Sequence, residues 1–120
     1  MKLFDRLRRP KWVTSYRGLD AMTIEQLRDA GSDLSKPHAV EHFLYFPKRT
    51  QAEAAANRMD AIGIAPEVRE PLEGHSDWLA FGTHRLVITE DSFAEVRAQL
   101  MAIAAECGGE YDGWGAPVEE

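Results

Sequence analysis

Residues 38–46 read HAVEHFLYF and lie between Pro37 and Pro47. Aromatic and branched side chains dominate the run, and prolines bound it, which is the pattern of a β-strand rather than of a helix. With a period of two, Val40, Leu44 and Phe46 fall on one face, and Phe43 and Tyr45 fall on the other. Residues 31–37, GSDLSKP, form a turn-rich approach. The residue before Pro37 is pushed towards extended backbone, so the strand can begin there.

Working outward, Thr50 and Glu53 fit a capping box, and Ala52, Ala55, Ala56, Met59 and Ile62 make an apolar stripe up to Gly63. This predicts a helix over 50–62 whose small alanines let it lie close to a sheet. Residues 66–70, PEVRE, read as a short edge strand, because proline cannot donate to a ladder. A hairpin-type loop over 72–77 leads to a strand over 78–88, with a bulge expected at Gly82. Ser92 and Glu95 fit a second capping box. Phe93, Val96, Leu100 and Ile103 line the helix that follows, and Gly108-Gly109 stops it. Residues 110–118 form a last strand, interrupted by a turn or bulge at Asp112-Gly113. Before the first strand, Thr23 and Gln26 cap a short helix that Gly31 ends. The order is a short helix, then βαββαβ. This is the split βαβ order of an α+β, ferredoxin-like sandwich, an antiparallel sheet with its helices on one face.

The 120 residues make one domain by length, with 44% hydrophobic and 28% charged residues. The net charge of −6 is unevenly spread. Residues 1–17 hold six bases and one acid, +5, and residues 18–120 hold eight bases and 19 acids, −11. We read residues 1–20 as a basic arm and residues 21–120 as a single α+β domain. An acidic body repels phosphate and attracts basic protein segments. One cysteine, Cys107, makes no internal disulfide, no run is long and apolar enough to span a membrane, and no apolar leader is present. A cytoplasmic protein is expected.

Chemistry has few footholds. His38 and His42 on a strand are about 13 Å apart at ~3.3 Å per residue, too far to share a metal with bonds of ~2 Å. They are expected to be surface or partner-facing, and neither a metal nor another cofactor is expected. Glu110 and Asp112 share a strand face but read as a solvated acidic edge. His75 and Ser76 are neighbours on a loop, which does not make a catalytic triad. The glycines of GGEYDGWG lack the lysine of a phosphate loop. Phe43 and Tyr45, with Phe81, could stack bases on an open sheet face, as in RNA-recognition domains. The −11 body opposes that, so an RNA-binding module built on this face and the basic arm is the alternative reading. Tyr111 and Trp114 have the character of interface anchors.

The stretch AGSDLSKPHAVEHFLYFP (30–47), the helix AEAAANRMDAIG (52–63), VREP (68–71) and GGEYDGW (108–114) together resemble regulator of ribonuclease activity B, the bacterial ribonuclease E inhibitor family. The likeness runs over 27–114 and leaves the arm outside it. It implies a small, non-enzymatic α+β protein that binds ribonuclease E or a related endoribonuclease assembly and slows RNA cleavage, with no small-molecule substrate. Tyr111, Asp112 and Trp114, with His42 and Tyr45, are the residues expected at the partner contact or supporting it. Self-association through the sheet is compatible with this reading, and so is a protein-interaction domain with another partner.

Overall fold

A computed structural model describes residues 12–15 and 20–119. The elements are β1 (Trp12–Ser15), α1 (Asp20–Asp29), β2 (Pro37–Phe46), α2 (Arg49–Ala61), β3 (Ala65–Arg69), β4 (Trp78–Val87), α3 (Glu90–Cys107) and β5 (Glu110–Pro117). They form one antiparallel sheet of order β1-β5-β2-β4-β3. Without β1 the order is that of the ferredoxin-like sandwich expected from the sequence. β1, which the sequence analysis did not anticipate, pairs with the end of β5, from Trp12 opposite Pro117 to Ser15 opposite Trp114.

The HAVEHFLYF strand is the centre of this sheet. It pairs along its whole length with β4 and along Glu41–Tyr45 with β5. Its even-numbered residues face the helices. Leu44 and Phe46 pack with Ala52, Ala55 and Met59 of α2 and with Leu100, Ile103 and Ala104 of α3. Val40 packs with Ile24 and Leu27 of α1 and with Phe93 and Trp114. The odd-numbered Phe43 and Tyr45 join Leu79 and Phe81 in a smaller cluster on the opposite face.

Each helix begins earlier than its threonine or serine signal suggested. Thr23 is the fourth residue of α1 and is buried, not a cap. Thr50 is the second residue of α2, where Gln51 Oε1 instead accepts from the Lys48 backbone N–H at 3.0 Å. In α3 the N-cap is Thr89. Its hydroxyl accepts from the Ser92 N–H, and Ser92 Oγ accepts from the Thr89 N–H, each at 3.0 Å. This is a capping box three residues upstream of the expected one, with serine in the glutamate's place. Glu90 and Asp91 then occupy the first turn, where the helix dipole favours acids.

Gly82 is not a bulge: β2–β4 pairing runs through it without a shift. It is there for clearance, since a Cβ would collide with the side chains of Met59 and Ile64. Gly109 clears a harder obstacle, the Tyr45 carbonyl and the Phe46 ring. The bulge lies in β5. Phe43 faces Gly113 and Leu44 faces Tyr111, so Asp112 is the extra residue, and Gly113 adopts φ 131°.

Because a backbone carbonyl yields less than the tip of a methionine, Gly109→Ala should destabilise the protein more than Gly82→Ala. The expected loss is of the order of 1–3 kcal/mol for an overpacked core site. Urea unfolding midpoints test this, and the reverse order would contradict the packing account.

Candidate functional site

The β5 bulge assembles the polar centre of the molecule. Tyr111 and Trp114 are three residues apart, a spacing that places side chains on opposite faces of a regular strand. The extra residue Asp112 brings both to the helix-covered face. Trp114 stacks on Phe93 of α3, with ring centroids 4.1 Å apart and planes at 21°. The Tyr111 hydroxyl reaches His42 of β2, with Oη 3.0 Å from Nδ1. On the other side of the ring, His42 Nε2 lies 3.0 Å from His84 Nε2 of β4. His42 is fully buried, with Phe93 beside it at a centroid distance of 6.3 Å, and His84 is half-buried.

Burial holds His42 well below the ordinary histidine value of 6.5, and His84 pushes it the same way; burial also lowers His84. Both rings are therefore neutral at pH 7, and each short contact carries one proton. Either the Tyr111 O–H donates to His42 Nδ1 and His42 Nε2–H to His84, or His84 Nε2–H donates to His42 and His42 Nδ1–H to Tyr111. Both arrangements satisfy both His42 nitrogens, which a buried polar group requires.

The outer histidine of β2, His38, is also fully buried, contrary to the surface placement expected for the pair. Its Nδ1–H donates to the Lys36 carbonyl at 2.9 Å, and its Nε2 lies 2.6 Å from Ser32 Oγ. Ser32 Oγ accepts from the Glu119 N–H at 2.9 Å, so this histidine helps fasten the chain beyond β5 to the α1–β2 turn. Both histidines were read as surface residues because alternation alone gives a face, not what covers it. The partners of His42 lie far along the chain.

The five residues selected from sequence thus divide. His42, Tyr111 and Trp114 come together inside the sandwich. Asp112 is half-exposed on the bulge, and Tyr45 lies on the opposite sheet face, largely covered. His84 was missed; it stands between Thr83 and Arg85, and nothing in that polar stretch of β4 singled it out. Among the described residues, no three His, Cys, Asp or Glu side chains converge as metal ligands would, and no helix is long and apolar enough to cross a membrane. Glu110 lines a groove of about 540 Å³ between α3 and β5, together with Arg97, Met101, Ala104, Gly109 and Tyr111. The three aromatic residues do not form an open stacking platform for RNA bases: Phe43, Tyr45 and Phe81 retain only 0–8% exposure.

On the outside, at least four of the eight bases beyond residue 17 are ion-paired: Arg28 with Glu25, Arg49 with Glu53, Arg58 with Glu106 and Arg69 with Glu67. Pairing within the chain thus consumes bases and leaves an acid-dominated surface.

The buried pair makes stability depend on pH. A histidine whose folded value is depressed binds its proton more readily when unfolded. The contribution is thus complete above about 6.5 and is lost as pH falls below it. Thermal melts from pH 7.5 to 5 should show this fall. His42→Leu should lose about 1–3 kcal/mol at pH 7, by leaving Tyr111 and His84 without their shared partner, and should flatten the acid slope. An unchanged slope would remove His42 from the linkage.

Comparison with known proteins adds two findings. The family model described as Regulator of ribonuclease activity B matches residues 19–116. A protein of Pseudoalteromonas translucida (strain TAC 125) with that same description is 30% identical over 111 residues, which cover 90% of this chain and all of the relative.

Proposed function

The chain belongs to the regulator of ribonuclease activity B family, and from that premise we propose that it is a non-enzymatic, cytoplasmic regulator that binds ribonuclease E, or a related endoribonuclease assembly, and slows RNA cleavage. The observation that carries this reading is the family match, which spans α1 to α3, β2 to β4 and all but the last residue of β5.

The site supports a binding role in two ways. The buried histidine that an acid–base catalyst would need has both nitrogens engaged inside the sandwich. The acid-rich exterior suits a protein partner with basic, RNA-binding segments and opposes direct contact with phosphate. Within this proposal, Asp112 contributes to the contact from the bulge and Tyr45 from the far sheet face. His42, Tyr111 and Trp114 act behind them by holding β5 in place.

The test is cleavage of a defined RNA by the host's ribonuclease E in the presence of increasing amounts of the protein, beside a co-purification assay. Cleavage should slow and the two proteins should co-purify. Both effects should weaken as ionic strength rises from ~50 to ~300 mM, because exposed charges are screened over about 10 Å or less at such concentrations. An unaltered rate with no capture would refute the proposal.

A further inference from the structure

On the sheet face away from the helices, the β3–β4 connection folds against β2 and β4 and encloses a pocket of about 60 Å³. Tyr45 and Leu79, opposite one another on β2 and β4, and Leu72 of the connection supply its apolar walls. Glu70 and Asp77 supply carboxylates. A water needs ~10–15 Å³ of such space, whereas small-molecule sites run to ~300–1,000 Å³. The pocket thus suits the end of one side chain and is too small for a nucleotide. From residue 70 to residue 84 there are three acids and no lysine or arginine, so the wall that closes the pocket is acidic.

The molecule itself shows which side chain this chemistry holds. The Arg69 guanidinium, which borders the pocket, lies 4.8 Å from the Phe81 ring centroid and is paired with Glu67. At the same end of the sheet, Arg49 lies 5.7 Å from the Trp78 ring centroid and pairs with Glu53 at 3.7 Å. Twice, then, an arginine is held between an aromatic ring and a carboxylate. The pocket offers the same two elements in Tyr45 and Glu70, with Asp77 beside them. Arg69 itself does not oppose a cationic guest strongly, because Glu67 balances its charge.

We propose that the pocket between the β3–β4 connection and the sheet, formed by Tyr45, Leu72, Leu79, Glu70 and Asp77, receives one arginine side chain from a basic segment of the protein partner. This rests on the reading above that the partner is a protein with basic segments, and it assigns the point of contact. Arginine fits better than lysine because a planar, weakly hydrated guanidinium stacks on a ring and binds a carboxylate at the same time.

Fluorescence anisotropy of the full chain with a labelled alternating Arg-Gly peptide, against the Lys-Gly and citrulline-Gly equivalents, tests it. The arginine peptide should bind several-fold tighter than the lysine peptide, and the uncharged citrulline peptide weakest. Glu70→Gln with Asp77→Asn should weaken arginine-peptide binding by about tenfold, the scale of a lost charge-assisted hydrogen bond. Because Asp77 is half-buried and its replacement can disturb the loop, Glu70→Gln with Leu72→Ser, both exposed, is a second variant with the same expected direction. Asp91→Asn with Glu95→Gln on α3 removes the same charge elsewhere and should change binding by roughly twofold or less. Equal losses in the α3 and pocket variants, equal affinity for arginine and lysine peptides, or no binding would each overturn the proposal. The two proposals fail separately. Pocket-dependent peptide binding without nuclease capture keeps the pocket and removes the ribonuclease. Undiminished nuclease capture by both pocket variants does the reverse.

Discussion

The structure turns on the helix-covered face of β2 having no polar outlet. The strand has hydrogen-bonded neighbours on both sides and helices over that face. A polar side chain there must therefore find its partner within the fold, since an unsatisfied buried group costs about 1–3 kcal/mol. His42 meets that demand through Tyr111 on one flanking strand and His84 on the other. The central strand is thereby tied to both neighbours by side chains as well as by backbone. A one-residue slip of β5 would break the Tyr111 bond and send Trp114 to the wrong face, so the same contacts select the register.

The β5 bulge is what makes that geometry compatible with the sequence. Tyr111 and Trp114 could not both reach the core without an extra residue between them, and Asp112-Gly113 provides it at a backbone angle that suits glycine. Close approach is managed by deletion of side chains: Gly82 beneath α2, Gly109 beside β2, and the buried alanines of α2. The surface ion pairs carry little by comparison. Their side chains are about 40–65% exposed, and such pairs contribute about 0–1 kcal/mol each.

Much of the fold was legible because its signals are local. Prolines at both ends of HAVEHFLYF, a small-residue stripe and glycine stops place the elements, and their order gives the ferredoxin-like arrangement. The Asp-Gly bulge was also visible. What escaped reading depends on distant or conformational information. β1 has only four residues and is recognisable by its pairing with β5, not by its own pattern. Three matches to a capping motif misplaced helix starts because the motif requires extended backbone at the cap, which a residue type does not ensure. The buried role of His42 rests on Tyr111 and His84, whose proximity is created by folding.

The division between interior and exterior also bears on function. The interior histidine chain is constrained on every side, so changes there act through the position of β5 and of whatever that strand presents. The ion pairs described above involve Glu25, Glu53, Glu67 and Glu106 and are themselves weak. An acid surplus costs the folded state some self-repulsion and returns little stability. Stability therefore does not account for a body of −11. For a family of ribonuclease regulators, the complement proposed for such a surface is a basic segment of the partner, and the walled pocket bordered by Glu70 and Asp77 is where that complement is assigned side chain by side chain.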